Sequence, residues 1–175
     1  PGQRWNLMYE TDRGCPYQCS YCDWGGATED KVTKFLLERI EMEIRWIGIN
    51  HIEYVFLANA NFGILERDVR LAELFVKANM DYGYPQAVST QNAKNPKSHT
   101  LRALMVLQEG GLNKAAVMSQ QSMNFDTLKL VRRDNMKLDE YYGIQASLAS
   151  EGVYTMTDLI FPMPGETKTS FFSGI

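Results

Sequence analysis

The chain has 175 residues, 45% of them hydrophobic, which suits one ordinary globular domain with a sizeable core. Its 18 Lys and Arg against 21 Asp and Glu leave a formal charge of −3, with the cations scattered, so no polyanion-binding surface and no nucleic-acid partner are indicated. No apolar run approaches the ~20 residues that a membrane span requires, so no membrane association is expected.

Short β-rich runs alternate with longer helical patterns. The first run, WNLMYE (5–10), enters the stretch RGCPYQCSYCDWGG (13–26), and a helix is predicted over DKVTKFLLERIEMEIRWI (30–47). Leu36, Ile40, Ile44 and Ile47 recur at four, four and three, which lines one face for burial. Thr28 is the predicted N-cap, Glu29 and Asp30 lie in the first turn, and Gly48 follows the end. Next comes IEYVFLA (52–58), then a helix over ERDVRLAELFVKANM (66–80) that gathers Leu71, Leu74, Phe75 and Ala78 on one side and stops near Gly83. AVST (87–90) precedes SHTLRALMVLQE (98–109), which ends at Gly110 and Gly111. KAAVMS (114–119) leads to helices over DTLKLVRRD (126–134) and LDEYYGIQASLAS (138–150), and VYTMTDLIF (153–161) is the fifth strand.

Five strand–helix units in a row predict an α/β fold with a parallel sheet, because parallel neighbours need a helical crossover. A TIM-like barrel layout is favoured; a full eight-fold barrel takes ~250 residues, so five units form part of one. A doubly wound open sheet is the competing topology, and periodicity alone does not separate them. Pro1 at the start, without an initiator methionine, and the closing run FFSGI, which reads as a helix opening, give the expectation that residues 1–175 are one incomplete domain of a longer protein.

Ligands in parallel α/β folds sit at the carboxyl ends of the strands. The segments expected there are the cysteine loop, Ala58-Asn59-Ala60-Asn61, Gln91-Asn92-Ala93-Lys94-Asn95, Ser119-Gln120-Gln121-Ser122 and Pro162-Met163-Pro164-Gly165-Glu166-Thr167. These are rich in amides, hydroxyls and charges, whereas the opposite ends read mostly as glycine turns. Any one of them also reads as an ordinary turn or cap. Ser89, Gln91, Lys94 and Asn95 are candidates to face a cavity from the third strand.

Cys15, Cys19 and Cys22 are all the cysteines of the chain. An odd number clustered in one loop makes no disulfide framework, and the reducing cytoplasm is the expected compartment. Structural zinc wants four ligands; His51 leads into a strand at the opposite rim and His99 opens a helix, so neither completes a set. Inert core thiols suit a Gly- and Pro-bounded loop poorly. Iron–sulfur clusters are held by thiolates, and three of them leave one iron of a [4Fe–4S] cube open to a cofactor or substrate.

CPYQCSYC (15–22), a CxxxCxxC spacing with aromatic Tyr21 before the last cysteine, resembles the signature of the radical S-adenosylmethionine (SAM) superfamily. The resemblance spans almost the whole chain. It implies a partial (β/α)6 barrel, about five units of it here, with the sixth beyond Ile175. It implies that Cys15, Cys19 and Cys22 hold a [4Fe–4S] cluster whose open iron chelates the amino and carboxylate groups of SAM. Reductive cleavage then gives a 5′-deoxyadenosyl radical that abstracts hydrogen from an unidentified small-molecule substrate, with an electron donor such as flavodoxin or ferredoxin. No catalytic residue beyond the cluster ligands is implied.

By the same resemblance Tyr21 lies near the adenine. Asn59 and Asn61 stand where the family often has Gly-Gly-Glu, so neutral amides and backbone carbonyls would meet the methionine amino group. SQQSMNFDTLKLVRRDN (119–135) matches a family pattern in which Gln121 reaches the ribose hydroxyls and Arg133 the SAM carboxylate, although Arg133 also reads as a helix-end cation. DLIFPMPGET (158–167) is similar to the family's GxPGET turn, with Pro162 in place of the usual glycine. Met163 to Gly165 would then pass the adenine, and Glu166 would cap the next helix. YETDRGCPYQCSYCDWG, NFG before ERD, and PGET look like the subset that carries a cobalamin-binding domain before the barrel. That implies cobalamin-dependent methyl transfer or rearrangement, with cobalamin held outside these residues. The alternative is a non-catalytic iron–sulfur electron carrier or a metal-stabilised scaffold.

Overall fold

A computed structural model describes residues 3–24, 31–113 and 115–175. In chain order the elements are β1 (Asn6–Tyr9), β2 (Asp12–Arg13), β3 (Thr33–Lys34), α1 (Leu37–Ile49), β4 (Tyr54–Phe62), α2 (Asp68–Tyr82), β5 (Ala87–Asn92), α3 (Ser98–Glu109), β6 (Ala116–Val117), α4 (Phe125–Leu130), α5 (Leu138–Ser150), β7 (Thr155–Met156) and α6 (Lys168–Phe172).

β1, β4 and β5 form a parallel sheet in that order, with Leu7 beside Val55 and Val55 beside Val88. β6 and β7 form a second parallel pair, and a bridge between Gln121 and Leu159 extends it toward the carboxyl ends. The Val88 amide donates to Leu112 O at 2.9 Å, which ties the entry to β6 to β5. The long crossover strands therefore follow one another in chain order without the reversal that defines a doubly wound sheet. This is a segment of barrel wall, as the strand count suggested.

Burial explains the order. Val55 and Leu57 alternate outward on β4 and join Ile40, Ile44 and Ile47 of α1 with Leu71, Leu74, Phe75 and Ala78 of α2 in one apolar core. Each large side chain sealed there contributes ~1.5–3 kcal/mol. A smaller core holds Leu104, Ala116, Met118, Tyr141, Leu148 and Val153. Two glycines at positive φ shape the turns that flank α2. Gly63 has φ 84°, and a Cβ there would lie 2.5 Å from Thr100 Cγ2 and 2.9 Å from its Cα, so the β4–α2 turn packs backbone against α3. Gly83, at φ 76°, ends α2, and its amide donates to Asn79 O at 2.7 Å.

Several boundaries differ from the sequence reading. The first helix starts at Leu37, because Thr33 and Lys34 pair antiparallel with Arg13 and Asp12 across the cysteine loop. Leu36 is the extended N-cap and is exposed, leaving Ile40, Ile44 and Ile47 as the buried stripe. Thr28, Glu29 and Asp30 lie outside the described residues. Gly48 sits inside the last turn, where a Cβ would meet the Tyr82 ring at 2.6 Å, and Asn50 is the C-cap. β4 runs through Ala58–Asn61, read from sequence as a loop. α4 stops at Leu130, with Arg132 in a left-handed turn at φ 53°. No helix among the described residues is long and apolar enough to cross a membrane.

Candidate active site

The carboxyl ends of the strands converge on a cavity of about 450 Å³. Cys15, Cys19 and Cys22 line it together with Tyr17, Tyr21 and Trp24 from the same loop. β4 contributes Phe56, Ala58, Asn59, Ala60 and Asn61; the β5 end contributes Gln91, Asn92 and Lys94; the fourth unit adds Ser119, Gln121 and Arg133. The three thiols are unbridged, with Cys19 buried, Cys15 half-buried and Cys22 exposed. The loop is pinned at its centre, where the Cys22 amide donates to Cys19 O at 3.0 Å and the Ser20 amide to Val131 O at 2.9 Å.

A buried polar clamp holds the base of this loop. Asn59, 1% exposed, donates through Nδ2 to Thr11 Oγ1 at 2.6 Å and to Asp12 Oδ2 at 2.5 Å, and accepts from the Thr11 amide at 3.2 Å. Arg67 donates to Phe35 O and Thr11 O, each at 2.6 Å, fastening β2 and the segment after β3 to α2. Burial pushes the Asp12 carboxyl up, against the opposing hydrogen bond from Asn59 and the charge of Arg67. Asp68, fully buried, accepts from the amides of Gly63 at 2.8 Å and Leu65 at 3.1 Å, and burial raises its pKa to about 6. The Asn59 carboxamide is thus engaged in holding the cysteine loop.

On the cavity side, Asn61 Nδ2 donates to Cys15 Sγ at 3.2 Å. Lys94 Nζ lies 4.0 Å from the centroid of the Tyr17 ring, and burial lowers its pKa. Arg133 spans two walls: Nη1 donates to Tyr21 OH at 3.1 Å, Nη2 to Ser119 O, and Nε to Asn135 Oδ1 at 2.8 Å, while Asn135 donates to Gln120 O at 2.7 Å. It is a clamped cation beyond the end of α4, and so not a solvated helix terminus. Burial pushes the Tyr21 phenol up to about 12, with Arg133 pulling the other way. Gln121 sits at φ 68°, uncommon for a non-glycine residue, and is held there by Asp158 O and the Ile160 amide, each at 2.8 Å.

The cavity therefore gathers the three cysteines with Tyr21, Asn59, Asn61, Gln121 and Arg133. Met163 and Gly165 do not line it. Met163 is buried, and a Cβ on Gly165 would lie 2.5 Å from Leu130 Cδ1, so this turn packs on α4. Glu166 is no helix cap: Thr167 caps α6, and Glu166 accepts from Ser122 at 2.6 Å and Ser170 at 2.8 Å, tying the turn to the fourth unit. The sequence reading placed Ala58 and Ala60 at the rim but missed Phe56, although the period of two that buries Val55 and Leu57 points the intervening residues inward. It also missed the Thr11–Asp12–Arg67 clamp, which brings together positions up to 56 residues apart.

The donor set suits an iron–sulfur cube. His51 stacks on Tyr84, and His99 lies 3.3 Å from Ile64 O. Among the described residues that line the cavity there is no histidine and no carboxylate, so the thiols face it as the metal-binding groups. Nor do any three His, Cys, Asp or Glu side chains among the described residues gather around one metal ion. A cube makes no such demand, since it places each thiolate on a different iron. Residues 9–171 match the sequence profile of the Radical SAM superfamily. The chain belongs to that superfamily. Its members use a [4Fe–4S] cluster and SAM.

Two relatives of this radical SAM chain sharpen the comparison. It is 38% identical over 174 residues to the cobalamin-dependent radical SAM methyltransferase TokK of Streptomyces tokunonensis, covering 99% of this chain and 26% of that protein. It is 36% identical over 172 residues to the 2-(S-pantetheinyl)-carbapenam-3-carboxylate methyltransferase of Streptantibioticus cattleyicolor, covering 98% and 25%. The chain thus spans about a quarter of the length of these relatives. Among solved structures, methylornithine synthase (PylB) superposes with a TM-score of 0.62 at 14% identity, covering 97% of this chain and 49% of that one. Coproporphyrinogen III oxidase (HemN) from Escherichia coli gives 0.66 at 20% identity, covering 98% and 41%. Both carry the barrel-type fold seen here, in accord with the predicted partial barrel.

Proposed function

We propose that the chain is the SAM-cleaving core of a cobalamin-dependent radical SAM methyltransferase. The observation that carries this reading is the cavity at the strand ends, lined by three unbridged thiols and ringed by amides, aromatic rings and two cations. The two curated relatives, both methyltransferases, support the choice of methyl transfer over rearrangement.

When bound by Cys15, Cys19 and Cys22, the cluster supplies one-electron reductive cleavage of SAM held at its open iron. The chain's own groups bind and orient. Arg133 offers a fixed guanidinium to the SAM carboxylate. Tyr21 gives the adenine an aromatic neighbour, and Gln121 offers an amide to the ribose hydroxyls. Ala58 and Ala60 keep the β4 wall low, so that the methionine end reaches backbone groups there. Tyr17, Trp24 and Phe56 exclude water. Met163 and Gly165 are left out of this set because they lie outside the cavity.

Cobalamin is bound by a domain outside residues 1–175, and the substrate is a small molecule. The electron donor is a small acidic protein such as flavodoxin or ferredoxin. A groove of about 700 Å³ beside the cysteine loop suits it, lined by Lys129, Arg132, Arg133 and Lys137 against Asp134 as its one carboxylate among the described residues. A cytoplasmic location matches unbridged thiols and a strong reductant.

The test is anaerobic reconstitution of the full-length protein, reduction, and assay of SAM turnover with cobalamin present. The reading expects 5′-deoxyadenosine, formed only by protein with an intact cluster, together with S-adenosylhomocysteine as methyl groups leave SAM. A loaded, reduced protein that forms 5′-deoxyadenosine but never demethylates SAM would remove the methyltransferase assignment. One that forms neither would remove the whole proposal.

A further inference from the structure

We infer that Asn61 is a positioning residue that raises the reduction potential of the cluster through its hydrogen bond to Cys15. The inference rests on the cluster reading above and deepens it, since the sequence resemblance assigned Asn61 to SAM and not to the metal.

Three observations carry it. First, Asn61 is 7% exposed and its Nδ2 donates to Cys15 Sγ at 3.2 Å, a normal length for a bond to sulfur. Second, the segment that carries Asn61 is held in place. β4 alternates strictly from Tyr54 through Asn61, and the alternation breaks only at Phe62, by which point the register with β5 has shifted relative to Leu57. The Ile64 amide, donating to Asn61 O at 3.0 Å, and the Ala93 amide, donating to Phe62 O at 3.0 Å, fix this segment. Third, the two asparagines of this strand divide the work. Asn59 faces Thr11 and Asp12, while Asn61 reaches the thiol.

The physical consequence follows from charge. Reduction adds an electron to a cluster already surrounded by thiolates, and an N–H pointing at a ligand sulfur stabilises the more negative state more strongly than the oxidised one. Hydrogen bonds to the sulfurs are among the factors that set cluster potentials. A carboxylate at position 61 would act in the opposite sense by placing an anion beside the cluster. The neutral amide of Asn61 thus eases electron entry.

The experiment is an EPR-monitored redox titration of the reconstituted full-length protein without SAM, comparing wild type with Asn61→Leu and Asn61→Asp. The midpoint is expected to move negative in Asn61→Leu, which loses the donor, and further negative in Asn61→Asp. Unchanged midpoints accompanied by weaker SAM binding would overturn the inference and return Asn61 to the cofactor. If neither variant retains iron, wild-type protein carrying 15N only in asparagine side chains provides the second measurement. Pulsed EPR of its reduced cluster is expected to show a coupled 15N, and its absence would overturn the inference. A wild-type protein that assembles no cluster would instead bring down the reading of the site on which this rests.

Discussion

β4 runs for nine residues between β1 and β5 under a core that includes Phe75, Leu71 and Ile44 at 1% exposure or less, whereas β6 and β7 pair over only two residues each. The two regions meet at one cavity but are held by different forces. The N-terminal body is fixed by apolar burial, and the cysteine loop is bolted to it by Asn59 and Arg67. The C-terminal body holds Gln121 by two backbone bonds to Asp158 and Ile160 and Arg133 by side-chain bonds to Tyr21, Ser119 and Asn135, with Ser119 Oγ to Asp158 at 2.6 Å and Asn135 to Gln120 at 2.7 Å as further links. In the proposed function the cysteines need fixed spacing to hold a cluster, while the opposite wall, proposed to grip SAM, gains from links that exchange easily. The difference in construction matches that division.

The largest expected effect sits on the rigid side. Cys19→Ala should abolish iron incorporation while leaving the far-ultraviolet circular dichroism intact, because two thiolates do not hold a cube; full iron content in that variant would break the account. Next comes stability. Phe75→Ala should cost about 3–5 kcal/mol and unfold both bodies together, and Leu148→Ala about 2–4 kcal/mol. Hydrogen exchange should then show the second loss confined to residues 115–161. Uniform loss of protection in both variants would erase the distinction between the regions.

Asp68 gives a pH test of the rigid body. Its folded pKa, about 6, lies above the ordinary carboxylate value, so the folded state holds the proton more tightly than the unfolded one. The stability linked to that proton is complete below about pH 4 and is lost as pH rises through about 6. Relative to Asp68→Asn, wild type should lose on the order of 3 kcal/mol between those limits, read from denaturant midpoints at several pH values. Parallel curves would mean that Asp68 is not titrating in the buried site. The smallest effect belongs to the adaptable wall. Arg133→Gln should weaken SAM binding by roughly 10-fold, the scale of one lost charge-assisted hydrogen bond, with iron content unchanged. Loss of iron instead would place Arg133 in the rigid body.

Much of this was legible in the sequence where one interaction dominated. The stripe of Ile40, Ile44 and Ile47, the Leu71–Phe75 face and the span of α3 all follow from a helical period with nothing competing. The cysteine loop was legible because three thiols at that spacing have few other uses. What the sequence hid was set by pairing between distant segments. Thr33 and Lys34 read as helix because their antiparallel partners lie across the cysteine loop. Asn59 and Asn61 read as equivalent polar loop residues, and the strand's alternation buries both; only their partners in distant segments separate the residue that clamps the backbone from the one that reaches sulfur. The PGET turn was found by pattern, but it packs close to Leu130 and does not line the cavity, a packing fact that no local signal records.

The most direct measurement is the EPR spectrum of the anaerobically purified and reduced protein before and after SAM is added. The account predicts a [4Fe–4S] signal whose g-values change on addition, as nucleotide meets the iron left open by Cys15, Cys19 and Cys22. A cluster signal indifferent to SAM would contradict it.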